Sequence, residues 1–516
     1  MGLTGTHAAG DPNHVPDHNL IDEAIAALQA AVAACLAGTD TAALTSAGLE
    51  AAAGLAVEPV DHNAPAAGTG DVALGYKALR SLTTGAGNTA VGDRALHVLT
   101  TGSNNTAVGF QALESVSTGD SNTAVGYHAQ YGTTTGIQNV SVGLGVNPVN
   151  PTGNNNTAVG YEALHASTTS ANVAIGYAAL FNATSGSEQT AVGNSALNAC
   201  TTGSFNTAMG SNVLANLTTG ASNVAIGIRA GYTATGANAT TTASKQTLVG
   251  TEAGQGSATQ VDDVVAVGYR ALGVGAGSVA VGSGATAPAT SVAVGYQAMT
   301  VATGAQSVAV GYGALSAANT GAANTAIGYQ ALNGAGAGAN NVAVGNIALT
   351  ANTSGGVNTA VGNAALNHAT TGSANTGIGA NAFDSLTTGF DNTAVGYLAG
   401  YTAVGANATT TGARQALLGR ESGQASSAVA NDVVAVGYRA VAITDGVALG
   451  SGAQVTHTNS VAIGKATVSS QNNQVAVGSR DVEHAATGFG PVIKSPDGTR
   501  YRVVAANGGA LSTVAA

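Results

Sequence analysis

Residues 88–96 read Asn-Thr-Ala-Val-Gly-Asp-Arg-Ala-Leu, and this phrase decides how the chain folds. Thr89 and Val91 fall on one face of a short extended segment and Ala90 on the other, with β-branched residues favouring the extended state. Gly92 then permits a backbone conformation closed to other residues and re-aims the chain into a second short segment ending at Ala95-Leu96. Two short strands per copy are therefore expected. The Thr-Thr-Gly at 100–102 supplies a turn with a positive-φ position, after which the next Asn begins the cycle again.

Aligning the glycines reveals 25 copies of the phrase, among them those ending at Gly92, Gly109, Gly126, Gly160, Gly328 and Gly345. The spacing is mostly 17 residues, shrinks to 13 or 14 in 268–295 and 437–478, and expands to 23 and then 18 after Gly227 and again after Gly396. Gly227 and Gly396 lie 169 residues apart, and 230–242 and 399–411 are almost identical, so a larger block was duplicated. A unit this short cannot bury its own apolar face, so copies must stack, each strand pairing in parallel with the strand one turn on. The expected fold class is mainly β, a parallel β-solenoid or β-roll. At about 4.8 Å per turn, its 24 intervals give a rod of about 115 Å. Asn88, Asn105, Asn122, Asn139, Asn156 and Asn172 would form a hydrogen-bonded ladder up the stack.

The composition agrees. Of 516 residues 74 are Gly, while 14 Lys and Arg and 25 Asp and Glu are few for a surface of that size. Collagen is excluded because the glycines do not recur every third residue, and disorder because 45 % of the residues are apolar. Charge is scarce because identical charges stacked turn upon turn would repel. A net charge of −11 with scattered basic residues argues against a nucleic-acid partner. Cys35 and Cys200 are too few and too far apart for a disulfide framework or a metal cluster and read as small buried hydrophobes. Residues 1–14 lack the pattern of a cleaved signal, and 20–36 carry Asp22, Glu23 and Gln29, so no membrane insertion is expected. Met1-Gly2 with Thr6 fits a short myristoylation pattern that is common by chance.

One thin coil per chain would be marginal, and bundling chains adds a second buried face. Ile21, Ile25, Leu28, Val32 and Cys35 alternate spacings of four and three, an a/d seam suited to a short trimerising coiled coil, with Asp17 or Asn19 able to cap its start. Packing of this helix on its own domain is the alternative. The organisation expected is an attachment segment at 1–18, the coiled-coil helix at 19–37, a linker at 38–70, the repeat shaft at 71–480 and a β cap at 481–516. In the last segment 491–494, 501–504 and 511–514 read as strands joined by Pro-Asp-Gly and Asn-Gly-Gly turns. Such a meander would cover the open edge of the last turn.

The copies at 278–282, 291–295 (Ser-Val-Ala-Val-Gly in both) and 460–464 (Ser-Val-Ala-Ile-Gly) resemble the head repeats of YadA-like trimeric adhesins, over residues 71–480. The resemblance implies a parallel homotrimer of left-handed β-rolls, and the three extra residues of the 17-residue copies imply longer turns at one corner. Residues 10–25 and 495–516 resemble the opening and ending of tail-associated proteins of bacteriophages that infect actinobacteria. The signal peptide, long stalk and membrane barrel of a bacterial autotransporter are not recognisable. Together these imply a structural virion protein, a tail fibre or minor tail protein that contacts the host cell and joins other tail or capsid proteins through its N-terminus. A capsid-surface decoration fibre and a bacterial trimeric adhesin passenger are the alternatives.

Catalytic residues, cofactors and metals are not expected. No metal signature, phosphate-binding loop or nucleophile elbow occurs; the repeat glycines imitate phosphate loops without the following helix that binds anions. His14 and His18 suit capping before the helix better than metal ligation. The residue after the repeat glycine is Tyr at Tyr76, Tyr127, Tyr161, Tyr177, Tyr269, Tyr296, Tyr312, Tyr329, Tyr397 and Tyr438, and Phe at Phe110. This column could stack on sugars of a host surface glycan or pack between protomers. The excursions at 231–246 and 400–415 are either receptor-contacting knobs or insertions tolerated at a corner. An enzyme such as a glycan depolymerase would want a carboxylate pair in a groove, and none is evident.

Overall fold

The computed structural model describes residues 70–233, 242–255, 261–334, 336, 338–401, 411–423 and 430–478, and the backbone of 492–494, 500–505 and 511–515. The attachment segment, the coiled-coil helix with Ile21, Ile25, Leu28, Val32 and Cys35, and the linker as far as residue 69 lie outside the described residues. So do residues 234–241 and 402–410 of the two excursions. No α-helix occurs among the described residues.

The chain is a parallel β-solenoid divided into two units, Met1–Gly336 and Ala337–Ala516. In the first, three-residue strands run from Val72–Leu74 to Thr325–Ile327; in the second, short strands run from Val342–Val344 to Val475–Val477. Each pairs in parallel and without register shift with the strand one turn on: Thr89 faces Thr106, Ala90 faces Ala107 and Val91 faces Val108. The first residue of each strand accepts the alternation set by its pleat. Ala90, Ala107 and Ala124 point inward and are fully buried, while the flanking Thr and Val side chains point outward. Only a small side chain fits at the inward position, because Ala95, Leu96 and Leu99 fill the coil from its other wall. In the second unit the backbone of Val492–Lys494, Arg500–Ala505 and Leu511–Ala515 forms a three-stranded antiparallel sheet.

Gly92 is required twice over. Its φ is +135°, and a Cβ there would lie 2.3 Å from the carbonyl oxygen of Gly109. The expectation of a positive φ in the Thr-Thr-Gly turn is corrected. At Gly102 the constraint is proximity, a Cβ lying 2.2 Å from the Gly119 oxygen, while the left-handed residue is Asn104, at φ +59°.

The expectation of two strands per copy is corrected as well. In a 17-residue copy the stretch after the glycine is a succession of turns, with Arg94 (φ +55°) and Leu96 (φ +51°) both left-handed. Each such residue costs about 1–2 kcal/mol. The cost is offset by hydrogen bonds to both neighbouring turns: Arg94 N–H donates to Tyr76 O at 2.7 Å and Leu96 N–H to Ala112 O at 3.1 Å. Second strands form only in 13- to 14-residue copies, where Leu272–Gly273 pairs with Thr286–Ala287 and Gln454–Val455 with Val468–Ser469. The extra residues of the longer copies are thus taken up along the return wall.

The asparagine ladder forms. Asn105 donates both its backbone N–H (3.0 Å) and its side-chain amide (3.1 Å) to Asn88 Oδ1, and the same pair of bonds recurs from Asn122 to Asn105, Asn139 to Asn122 and Asn156 to Asn139. Asn172 N–H continues the column to Asn156 Oδ1 at 3.0 Å. All six side chains are buried.

Candidate functional site

Each turn presents two surfaces beside the repeat glycine: the outward face of the strand before it and the exposed residues of the turn after it. The strand face is a ridge of aliphatic side chains. Val72, Leu74, Val125, Ile175, Ile226 and Ile327 are each more than a third exposed. The turn face carries the aromatic column. Tyr127, Tyr161, Tyr177, Tyr296, Tyr312, Tyr329 and Tyr397 are 42 to 53 % exposed, and Tyr76 is half-buried with the Lys77 ammonium 4.6 Å from its ring centre.

Parallel stacking brings successive rings together. Phe110 and Tyr127 stack at 5.3 Å, Tyr161 and Tyr177 at 5.2 Å, and Tyr296, Tyr312 and Tyr329 form a run with centroids 5.2 and 5.3 Å apart, all with planes within 18° of parallel. Inside such a run each ring face is covered by the next ring. What these tyrosines offer a partner is their edges and hydroxyls, and open faces remain only where a run ends.

Two groups on this side were not singled out by the sequence reading. The first is a second aromatic column: His128 stacks on Tyr127 at 4.0 Å and lies 5.1 Å from Tyr131, and His165 stacks on Phe181 at 4.8 Å. The second is a pair of charged clamps. Glu252 lies between Arg270 (Nε to Oε2, 2.6 Å) and Arg229 (Nη1 to Oε1, 4.0 Å). Glu421, 169 residues on, lies between Arg439 (2.5 Å) and Arg420 (3.0 Å). The hydrogen bond from Arg439, aided by both guanidinium charges, holds the Glu421 carboxyl below its ordinary range. The duplication offset was the signal that could have found the clamps, since it superposes Glu252 on Glu421, Arg270 on Arg439 and Tyr269 on Tyr438.

The remaining titratable groups are dispersed. Burial lowers the His97 pKa and raises that of Asp384, and Cys200, buried against Gln189 and Gly203, is pushed up to about 11. Among the described residues no three His, Cys, Asp or Glu side chains converge as metal ligands, and no helix is long and apolar enough to cross a membrane. No protein-family model matches the chain, and no curated protein matches it in sequence.

Proposed function

We propose that this chain is a structural protein, a homotrimeric fibre of a bacteriophage virion that is tail-associated through its N-terminal segment and contacts the host cell surface. The observation that carries this reading is the aliphatic ridge on the strand face. A ridge of Val, Leu and Ile side chains recurring at every turn is a larger apolar surface than a soluble monomer ordinarily leaves in water. A second ridge with the same rise per turn fits it best, and another copy of this chain supplies one. Three copies around an axis would bury the ridge in the manner implied by the resemblance to YadA-like heads, leaving other faces of each coil to meet the host. The resemblance of the two chain ends to actinobacteriophage tail proteins supports the virion setting, and the antiparallel sheet at 492–515 supplies the strands for a terminal cap.

Sedimentation velocity tests the assembly: a trimer is expected, and a stable monomer near 49.3 kDa would overturn it. Immunogold labelling of virions with an antibody to residues 1–20 tests the location. Label at the tail supports the reading, label over the capsid favours the decoration-fibre alternative, and no label on particles removes the virion setting.

A further inference from the structure

Four aromatic pairs in the column after the repeat glycine are separated by one non-aromatic turn: Tyr76 and Phe110 by Asp93, Tyr127 and Tyr161 by Leu144, Tyr269 and Tyr296 by Ser283, and Tyr397 and Tyr438 by Arg420. The last pair shows what the space between two such rings holds. The Arg420 guanidinium carbon lies 5.4 Å from the Tyr397 ring centre and 5.9 Å from that of Tyr438, a flat group held between two aromatic faces. Ser283 stands at the equivalent register. Gly284 N–H donates to Tyr269 O (2.9 Å) and Gln297 N–H to Ser283 O (3.0 Å), as Glu421 N–H donates to Tyr397 O (2.8 Å) and Arg439 N–H to Arg420 O (3.1 Å). The serine side chain is too short to reach between the rings. The next residue, Gly284, adds nothing to the slot, and the nearest atom to a Cβ there would be Gln297 Cγ at 3.5 Å.

We propose that the slot between Tyr269 and Tyr296 binds one pyranose ring of a surface glycan. Both tyrosines are about half exposed. Arg270 lies over the Tyr269 ring at 5.1 Å but is drawn toward the preceding turn by its hydrogen bond to Glu252, which leaves the Tyr269 face toward Ser283 open. A pyranose presents C–H groups on both faces and hydroxyls at its rim, so it matches two aromatic faces bordered by the Ser283 hydroxyl, the Gln297 amide and the Arg270 guanidinium. Charge decides against a cation in the same place: Arg229 and Arg270 surround the single Glu252 carboxylate, so the rim is net positive and favours a neutral or acidic sugar.

The proposal rests on the reading of this chain as a host-contacting fibre, and the test separates the two. Saturation-transfer NMR on the purified full chain, with the methyl glycosides of N-acetylglucosamine, galactose and glucuronic acid, is expected to show transfer to the ring C–H protons of at least one. N-acetyl-arginine methylamide serves as the cationic probe. Ser283→Arg, which fills the slot as Arg420 fills its own, should weaken binding about tenfold or more, as should Tyr296→Leu, whereas Ser283→Ala should bind like the parent. Unchanged circular dichroism and thermal midpoint establish that the variants fold, and Tyr296→Leu carries the test if Ser283→Arg does not. Binding of none of the glycosides, equal binding by Ser283→Arg, or selection of the arginine probe over the sugars would overturn the proposal. Attachment to host cells by parent and Ser283→Arg alike would leave the fibre reading standing while the slot falls. Absence of attachment by the parent, with glycoside binding intact, would do the reverse.

Discussion

Replacing Asn122 tests whether the buried amide column holds neighbouring turns together. Its Oδ1 accepts the backbone N–H and side-chain amide of Asn139 (both 3.1 Å) and the Gln130 amide (3.2 Å), while its own Nδ2 donates to Gly136 O at 2.8 Å and to Asn105 Oδ1 at 3.1 Å. Asn122→Ala strips the acceptor from the Asn139 N–H and the Gln130 amide and the donor from the Gly136 carbonyl, in a site closed to water. At about 1–3 kcal/mol for each buried group left unpaired, and with partial relaxation, the loss is about 3–6 kcal/mol. Asn122→Ser should cost much less, because the fold already uses serine at this register: Ser291 Oγ accepts Ser307 N–H at 3.1 Å and Ser307 Oγ accepts Asn324 N–H at 3.2 Å. A stacked coil opens locally rather than all at once, so the measurement is amide hydrogen exchange at Asn139. Its protection should fall by at least about a hundredfold in Asn122→Ala and by much less in Asn122→Ser. Equal protection in the two variants would refute the reasoning, since it would mean that the side-chain acceptor contributes nothing to the turn interface.

Gly109→Ala places a Cβ 2.4 Å from the Gly126 oxygen at φ +138° and should cost more than about 2 kcal/mol. Gly145→Ala, at φ +61° with its nearest neighbour 3.6 Å away, should cost only about 1 kcal/mol; the two are compared by exchange protection of the flanking strands. Because the folded Glu421 carboxyl titrates below its unfolded value, its clamp contributes stability that is complete above the ordinary Glu range near pH 4.3 and is lost as pH falls through the folded value. Exchange protection around Glu421 should therefore drop in acid in the parent and respond much less in Arg439→Gln. With its thiol buried and its pKa pushed up to about 11, Cys200 should resist alkylation by iodoacetamide at pH 7.5 in a Cys35→Ser chain and react only on unfolding, as read by mass spectrometry.

The fold was legible to the extent that it follows from the period. Aligning Gly92 with Gly109 fixes which residues meet, so the inward alanines, the outward Thr and Val and the Asn88-to-Asn172 ladder could all be read from the chain. The return wall could not. Arg94 and Leu96 carry no local sign of a left-handed backbone, which arises because hydrogen bonds to two adjacent turns outweigh an unfavourable local conformation. The tyrosine column was legible as a column, but its geometry was not: that Tyr312 is covered on both faces by Tyr296 and Tyr329 depends on ring tilt, which sequence does not encode. The clamps at Glu252 and Glu421 were hidden because the duplication was compared through its loops rather than through its charges.

The same stacking that suppresses charge also dictates how the remaining charge is arranged. An in-register parallel coil sets each residue about 4.8 Å from its counterpart in the next turn, a separation at which like charges repel and opposite charges attract. Two kinds of column avoid the penalty. One repeats a group that is both donor and acceptor, as the asparagines do, or a hydroxyl that reaches the next turn's carbonyl, as Thr83 reaches Thr100 O at 2.7 Å and Thr100 reaches Ser117 O at 2.9 Å. The other alternates sign. Arg229, Glu252 and Arg270 occupy one register in three successive turns, Lys245 lies 3.7 Å from Asp263 in the next turn, and Arg414 grips Asp432 with two bonds of 2.6 and 2.8 Å. Charge is therefore neutralised along the axis before any partner arrives, and a surface built this way has little field with which to attract one from a distance. Recognition by such a coil must depend on close-range shape: aliphatic ridges that match another copy, ring edges and hydroxyls along the stacked runs, and full ring faces only where a run is interrupted by a short side chain. Ser283 makes such an interruption between two tyrosines, which is why a single serine in a 14-residue copy carries more information about binding than the repeated tyrosines on either side of it.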